Sequence, residues 1–435
     1  MGRHRHRTDR LVVGVILLAL FVRIAVLVYL RTYRIPGNDD HWSFGYEAGR
    51  LARSLATGVG FASPMPEPSG PSALLPLGYP LLLAGLFRLF GVYTTSAAVA
   101  ALALNILFST LTCAGVYLLG RRIFGRPAGI VASAILALYP PSIWYATTWI
   151  WDTTLLALAL VAAMLWIYRL PEVPSLPCLA ATGGILGVVA LINPAPIPFY
   201  AVLAFLLWRA LRARSLNGTA QIAVLAGSCL LVYGPWLVRN WVVMGEMTPR
   251  TSVGMNLRLG NDERMWELAT GKYDVGRYPS NSREESRQFH ELGEVGYDRR
   301  CQQLAMAFIR ENPGKFAQLV WFRFRGWWFG LGMTTVVTPL DRLATPAMRW
   351  LTAVAPVLLL VLGCFFAVRN GKPATLVIAL VLTYPLPYYL FFVAQRYRFP
   401  IEPFVVLLSA YGIVSAWSWL RPNSPADSAK TPAEA

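Results

Sequence analysis

Residues 11–30 read LVVGVILLALFVRIAVLVYL, a run of twenty residues in which only Arg23 is charged. About 20 apolar residues in a helix are enough to cross the hydrocarbon core of a bilayer. The run is too long for the core of a signal peptide and no small-residue cleavage site follows it, so we interpret it as an uncleaved first spanning helix. Within this span, Arg23 either contacts a lipid phosphate or snorkels outward.

The composition of the whole chain is likewise strongly apolar. Of its 435 residues, 56% are hydrophobic and only 14% are charged, whereas a soluble domain has roughly 25% charged residues. The formal net charge is +17, but the basic residues separate long apolar runs instead of clustering on a polar domain, as nucleic-acid binding requires. The composition therefore excludes a nucleic-acid partner and predicts an all-α polytopic membrane protein.

Further apolar segments of similar length follow the first one. The candidate spans are 11–31, 95–119, 127–146, 150–168, 177–193, 196–211, 219–238, 346–368, 373–393 and 400–420. Ten spans, an even number, place both termini on one side of the membrane. Alternate connections contain most of the Arg and Lys residues, and the positive-inside rule puts those connections and both termini in the cytoplasm.

The spans divide the chain into five parts. We predict a basic cytoplasmic N-terminus at 1–10, a transmembrane bundle at 11–244, an outer helical loop at 245–345, C-terminal spans at 346–420 and a cytoplasmic tail at 421–435. The bundle includes a first outer loop at 33–93. Its segment 74–90 is apolar, but we expect it to lie on the outer surface, because a crossing there would move the Arg-rich turn at 121–126 outside.

Both outer loops have patterns typical of helices. In the first loop, Phe44, Ala48, Leu51 and Leu55 recur at helical spacing, which predicts an amphipathic helix at the interface. In the second loop, Ser282-Arg283-Glu284-Glu285 matches a capping box and predicts a helix start there. The helix that follows is expected to stop before Pro313.

Three carboxylates in the first outer loop are candidates for acid–base chemistry. Asp39 and Asp40 precede the amphipathic helix and Glu47 lies within it. Taken alone, the aspartates fit a helix N-cap and turn, and Glu47 fits a surface partner of Arg50. The alternative is that one of the three is a general base at the membrane face.

Arg396, Arg398 and Glu402 lie at the predicted outer junction of the last two spans. Charged groups at membrane depth are costly, which favours a functional role over simple snorkelling. Because Phe399 precedes Pro400, we expect an extended segment in which both arginines share one face. Guanidinium groups there would converge on one phosphate.

The sequence predicts no certain cofactor. None of the five cysteines has a zinc-site spacing, and no disulfide framework is visible. His41 and His290 together are an alternative metal pair, but two isolated histidines are more often structural. No metal ligands are assigned, and a divalent cation stays an open alternative.

Several short motifs occur in order along the chain and carry a family resemblance. They are Asn38-Asp39-Asp40, Gly58-Val59-Gly60-Phe61, Pro76-Leu77-Gly78-Tyr79-Pro80, Leu89-Phe90-Gly91, Pro235-Trp236-Leu237-Val238-Arg239-Asn240 and Arg396-Tyr397-Arg398-Phe399-Pro400. From about Asn38 to Pro403 the chain resembles bacterial GT-C glycosyltransferases of the family 39 type. These are related to protein mannosyltransferases and to the lipid A aminoarabinose transferase.

The resemblance implies a GT-C-like helical bundle in the bacterial cytoplasmic membrane. It implies transfer of a sugar from a polyprenyl-phosphate-linked donor to an acceptor hydroxyl on the periplasmic side, with membrane lipids as further partners. The acceptor, whether lipid, glycan or protein, stays open. Asp39 or Asp40 would match the acidic residue of the first loop, with Glu47 as the other candidate base.

The resemblance also assigns the donor phosphate to basic residues. Arg396 and Arg398 would match its positively charged region, with Arg239 as a further contact and Asn240 and Glu402 in support. Two other functions remain as alternatives. The Pro-interrupted segment 193–198 is typical of a transporter or lipid-linked-sugar flippase, and a non-catalytic membrane scaffold would leave the outer charges without a role.

Overall fold

The computed structural model describes residues 2–35, 44–269, 278–280, 282–330 and 350–420. Within these ranges the chain is helical, and an isolated antiparallel bridge between Ala62 and Pro71 is the β-type pairing present. The helices are α1 (Gly2–Leu30), α2 (Glu47–Ala56), α3 (Gly78–Phe90), α4 (Thr95–Ile123), α5 (Arg126–Leu138), α6 (Pro140–Thr147), α7 (Thr153–Ile167), α8 (Leu176–Ile192), α9 (Ile197–Arg212), α10 (Gly218–Met244), α11 (Val253–Gly260), α12 (Glu263–Ala269), α13 (Arg283–Glu311), α14 (Pro313–Phe329), α15 (Ala355–Arg369), α16 (Thr375–Thr383), α17 (Leu386–Leu390), α18 (Gln395–Arg398) and α19 (Glu402–Leu420). A π-turn at Trp350–Val354 leads into α15, and a 3-10 turn at Phe399–Ile401 joins α18 to α19.

The described helices confirm a multi-pass membrane protein. Five segments are long and apolar enough to cross a bilayer: 10–30, 95–123, 218–244, 351–369 and 396–420. The pair α5 and α6 bends by 53° and supplies a sixth when taken as one broken span. The remaining predicted spans coincide with α7, α8, α9 and the α16–α17 pair, so every predicted span falls on a helix or a helix pair.

Close helix packing explains two glycines in α8. A Cβ atom at Gly183 would lie 2.1 Å from the carbonyl oxygen of Leu225 in α10, and one at Gly187 would lie 2.8 Å from that of Cys229. Small residues four positions apart let the backbones of two spanning helices approach closely, which adds dispersion contacts along the whole interface. A side chain at either glycine would separate α8 from α10.

Arg23 has a different role from either alternative that the sequence offered. Its side chain is fully buried between α1, α4 and the α5–α6 bend. The guanidinium donates to the hydroxyls of Ser109 and Ser142 at 2.8 Å each, and to the carbonyl of Ala137 at 3.0 Å. The bend leaves carbonyls of α5 without helical partners, and Arg23 supplies donors to them. Because its guanidinium is buried and bonded to protein acceptors, Arg23 holds the broken helix in place.

The two outer loops lie against each other at one end of the bundle. The amide of Thr251 donates to the carbonyl of Ala73 at 2.9 Å, and Ala73 in turn donates to Glu294 at 2.8 Å. The predicted helix of the first loop is confirmed as α2. The predicted helix start is also confirmed, because the Ser282 hydroxyl accepts from the amide of Glu285 at the start of α13. The reciprocal half of the capping box is not formed, since the Ser282 amide donates to the carbonyl of Tyr278.

Helix α3 is short for a crossing helix. Its 13 residues extend roughly 20 Å at 1.5 Å per residue, whereas the hydrocarbon core is about 30 Å thick. This length fits the expected surface or dipping position of segment 74–90. The sidedness of the loops and the predicted division of the chain stay predictions.

Candidate functional site

The segment 395–401 contradicts one expectation from the sequence. Residues Gln395–Arg398 form a helical turn, and Phe399 is also helical with φ −51° and ψ −41°. Successive side chains of a helix point about 100° apart, so Arg396 and Arg398 face different directions and do not converge on one phosphate. The preference of a pre-proline residue for extended geometry is overridden here, because Pro400 lies in the first turn of the helical segment that continues into α19, where its missing N–H costs nothing.

Arg398 is a buried structural residue in this geometry. Its side chain and that of Glu402 are each 7% exposed, and Nε lies 2.7 Å from Oε1 of Glu402. Nη1 donates to the carbonyls of Trp327 and Trp328 at 3.0 and 2.8 Å. These carbonyls belong to the last turn of α14, which has no further helical donors for them. Arg398 thus joins the end of α14 to the start of α19.

Arg396 belongs to a different group of side chains, which is here called the outer cleft. The group consists of Glu47, Asp152, Asn193, Arg250, Tyr278 and Arg396. Its guanidinium lies 3.8 Å from the ring centroid of Trp151, and Nη2 donates to the hydroxyl of Tyr397 at 3.2 Å. It interacts electrostatically with Glu47 and with Asp152. A half-buried cation that stacks on a tryptophan is held in a fixed orientation by the ring.

Asp152 is the residue that the sequence reasoning missed. It precedes α7 in the connection from α6, is half-buried, and caps no backbone amide through its side chain. Its Oδ2 accepts from Nδ2 of Asn193 at 3.0 Å, and it interacts electrostatically with Arg396 and Arg250. A lone carboxylate at the edge of the predicted span 150–168 was the available signal, since ionisable groups at membrane depth are functional candidates by default.

Glu47 is another residue of the outer cleft, because it interacts electrostatically with Arg396. It is the first residue of α2 and is half-buried. The hydroxyl of Tyr278, from the second outer loop, hydrogen-bonds to it, and Tyr278 also interacts electrostatically with Arg250. Of the three candidate bases, Glu47 is the one in the part of the chain that the structure describes. Asp39 and Asp40 lie outside it.

Arg239 contacts protein carbonyls instead of this cleft. Its two terminal nitrogens donate to the carbonyls of Ser72 and Phe61 at 2.5 and 3.0 Å, and Nη1 also donates to Oδ1 of Asn240 at 3.1 Å. Asn240 is fully buried and donates to the carbonyl of Thr248. The pair predicted to bind and support the donor phosphate therefore fastens the first outer loop to α10.

No group of three or more His, Cys, Asp or Glu side chains suited to a metal ion is found among the described residues. Of the proposed histidine pair, His290 lies 3.8 Å from Glu67 on the surface of the second loop. His41 falls outside the described ranges. The cleft thus comprises Glu47 of α2, Arg396 of α18, and Asp152, Asn193, Arg250 and Tyr278 from four different connections between helices.

Part of the chain matches a known family. Residues 75–238, somewhat more than a third of the chain, match the family model described as dolichyl-phosphate-mannose-protein mannosyltransferase. This match confirms, for that segment, the resemblance to protein mannosyltransferases that the motifs indicated. No curated protein matches the chain in sequence.

Solved structures define the class of the fold. The apo oligosaccharyltransferase of Archaeoglobus fulgidus aligns with a TM-score of 0.53 and 12% identity over 94% of this chain and 51% of that chain. Archaeal oligosaccharyltransferase AglB from the same organism, in complex with an inhibitory peptide and a dolichol-phosphate, gives 0.49 and 13% over 96% and 51%. ArnT from Cupriavidus metallidurans bound to undecaprenyl phosphate gives 0.41 and 15% over 94% and 78%.

The apo structure carries the comparison of fold. It confirms that the chain has the all-helical, GT-C-like membrane fold that the sequence predicted. The chain spans about half the length of the oligosaccharyltransferases that it resembles.

Proposed function

We propose that the protein is a membrane glycosyltransferase that moves a sugar from a polyprenyl-phosphate-linked donor to an acceptor hydroxyl on the periplasmic side of the bacterial cytoplasmic membrane. The proposal is supported by the family match at 75–238 and by the fold. The observation that carries it is that Arg396 and Arg250 both interact electrostatically with Asp152. Two guanidinium groups beside carboxylates, at the ends of spanning helices, suit a lipid phosphate and a sugar together.

The donor phosphate is assigned to Arg396 and Arg250. Arg396 is held by the ring of Trp151, and Arg250 by a 2.6 Å hydrogen bond from Nε to the hydroxyl of Ser252. The sequence suggested Arg396 with Arg398, but Arg398 is occupied by Glu402 and by two carbonyls, so Arg250 takes its place. The polyprenyl tail then lies among the apolar helices next to the cleft.

The chemistry follows from these groups. A carboxylate of the first outer loop, Asp39, Asp40 or Glu47, removes the proton of the acceptor hydroxyl as its oxygen attacks the anomeric carbon. The bond from this carbon to the phosphate oxygen breaks, and the polyprenyl phosphate leaves with the electron pair. The arginines stabilise the negative charge that develops on the leaving phosphate. Attack from the face opposite the phosphate inverts the anomeric carbon.

Asp152 is assigned to the sugar side of the cleft. Its carboxylate is oriented by Asn193 and interacts electrostatically with both arginines. A fixed negative charge there favours the positive charge that builds up on the sugar ring as the bond to phosphate stretches. The same charge keeps both guanidinium groups turned towards the cleft before the donor binds.

Transfer from a labelled donor tests the proposal. Purified protein in lipid nanodiscs is given a radiolabelled polyprenyl-phosphate sugar and a cell-envelope extract, and labelled product is separated from donor. We expect product with the wild type and at least a hundredfold slower transfer with Asp152→Asn. Glu172→Gln, a surface change at the opposite end of the bundle, is the control and should match the wild type. Absence of transfer by the wild type with every lipid-linked sugar tried would refute the proposal.

Movement of a lipid-linked sugar across the membrane is a second candidate. The observation that favours it is the break between α8 and α9, where Asn193 contacts Asp152, since interrupted helices often line the substrate path of transporters. Vesicles with a fluorescent lipid-linked sugar in one leaflet separate the two functions. A flippase equilibrates the probe between leaflets without product, whereas a transferase consumes donor that faces the cleft.

A further inference from the structure

The segment 61–76 of the first outer loop, here called the strap, is fastened along its length by hydrogen bonds from several helices. Arg239 of α10 donates to the carbonyls of Phe61 and Ser72, and the amide of Ser72 donates to Phe61 at 3.0 Å. Arg50 of α2 donates to the carbonyl of Pro64 at 3.1 Å. A proline-rich segment has few backbone donors of its own, so its carbonyls depend on such outside donors.

One carboxylate joins the strap to the second outer loop. Oε1 of Glu294 in α13 accepts from the amide of Ala73 at 2.8 Å and from the hydroxyl of Thr251. The amide of Thr251 donates back to the carbonyl of Ala73 at 2.9 Å, and the hydroxyl of Ser252 donates to Leu74 at 3.0 Å. We call Ala73, Thr251 and Glu294 the clasp. All three side chains are at most 6% exposed, which shields these bonds from water.

The two chain segments that the clasp joins are each close in sequence or in space to residues of the outer cleft. Arg250 precedes Thr251 and interacts electrostatically with Asp152 and Tyr278. On the other side, the strap enters α3 at Gly78, where a Cβ atom would lie 2.8 Å from the carbonyl of Leu191. This tight contact places the start of α3 against the end of α8, two residues before Asn193. A shift of the strap is therefore transmitted to both neighbours of Asp152.

We infer that Glu294 is a positioning residue for lipid-phosphate binding, which acts by holding Thr251, and with it Arg250, at the correct distance from Asp152. This inference rests on the proposed function. Glu294 acts on the outer cleft through Ala73 and Thr251, whose amide and hydroxyl donate to its Oε1. Burial raises the pKa of this carboxyl by disfavouring its charged form, and the positioning role comes from the two hydrogen bonds.

Conservative variants test whether Glu294 acts through its hydrogen bonds or through its charge. Glu294→Gln keeps an acceptor oxygen for Ala73 and Thr251, so donor affinity should stay within about threefold of the wild type. Thr251→Val and Glu294→Ala break the clasp and should raise the donor KM on the order of 10–100-fold, since an error of 1 Å in placing a binding group has effects of this size. The matched control is Glu285→Ala in the same helix, whose buried carboxylate accepts from Arg258 of α11 instead of from the strap.

A double-mutant cycle decides whether the effect passes through Arg250. If it does, Glu294→Ala adds little to the donor KM once Arg250→Ala is present, because residues that act as one unit are not additive. Additive effects of the two substitutions, or an equal rise in KM with Glu285→Ala, would overturn the inference and reduce Glu294 to a general stabilising residue.

Hydrogen exchange makes the outcome independent of catalysis. In the wild type, the amides of Ala73 and Thr251 should exchange slowly, and Glu294→Ala should speed both while leaving α10 protected. Unchanged exchange at both amides in this variant would refute the clasp whatever the enzyme does. Faster exchange together with wild-type donor kinetics would refute the positioning role, whereas failure of the wild type to transfer any sugar would refute the proposed function instead.

Discussion

Replacement of Arg398 should unfold the protein more than it weakens donor binding. Arg398 and Glu402 form a buried pair, with Nε 2.7 Å from Oε1. Removal of one partner of a buried ion pair leaves an uncompensated charge and costs about 3–5 kcal/mol. Arg398→Met should therefore lower the folding equilibrium roughly 10²- to 10⁴-fold, since about 1.4 kcal/mol corresponds to a factor of ten.

The cost should be visible as lost thermal stability. By the scale for domains of 150–250 residues, about 3–5 kcal/mol lowers the midpoint of unfolding by roughly 6–20 °C. Because membrane proteins often unfold irreversibly, the half-life of the monodisperse peak in detergent at fixed temperature is the safer measurement. The double variant Arg398→Met, Glu402→Met removes both charges and should recover at least half of the loss, as exchange of buried pairs for apolar side chains does elsewhere.

Arg396→Ala should show the opposite pattern. Its stacking on Trp151 contributes on the order of 1–2 kcal/mol, so the stability loss is smaller than for Arg398. Loss of a charge-assisted contact to phosphate should raise the donor KM about tenfold or more, with Arg396→Lys rescuing only part of it. The reasoning would be refuted by an Arg398→Met protein that is as stable as the wild type and has a donor KM raised as much as in Arg396→Ala.

Three further predictions concern the loops. Glu47→Gln should lower kcat by about 10²–10⁴-fold if Glu47 is the general base; turnover near the wild-type level would move the base to the aspartates upstream. Burial raises the pKa of Asp298 to about 6, so the folded state binds more protons than the unfolded state between about pH 4 and 6 and stability should fall as the pH rises through that window. Asp298→Asn should flatten this dependence in thermal unfolding measured across it, and an unchanged slope would contradict the assignment. In a cysteine-free background, Ser69→Cys should react with an impermeant thiol reagent outside spheroplasts while Glu172→Cys should not; equal labelling would overturn the topology.

The helices were predictable because their signals are local. A run such as 11–30 contains its own evidence, since length and hydropathy are read within one helix. The same holds for Ser282, whose capping partner Glu285 lies three residues away. The helix predicted around Ala48 and Leu51 and the helix start at Ser282 depend on a few neighbouring residues and agree with the structure, whereas the extended segment predicted at 395–398 does not.

The candidate site was less predictable because its contacts are distant in sequence. Asp152 accepts a hydrogen bond from Asn193 and interacts electrostatically with Arg250 and Arg396, and all three partners are distant from it in sequence. No spacing rule relates these positions. Arg239 shows the same difficulty, since its motif indicated a role in the cleft, but its partners Phe61 and Ser72 lie in a loop more than a hundred residues upstream.

The buried arginines differ in what their guanidinium groups contact, and this difference separates structural from functional candidates. Arg23 donates to carbonyls at the α5–α6 bend, Arg398 to carbonyls at the end of α14, and Arg323 to the carbonyls of Gly260 and Tyr389. A helix end or a bend leaves acceptors that need donors, and a five-donor side chain can satisfy several at once. Arg396 instead contacts aromatic faces and a hydroxyl. Stacking of this kind orients the charge of a guanidinium group, which suits the donor-phosphate role proposed for Arg396.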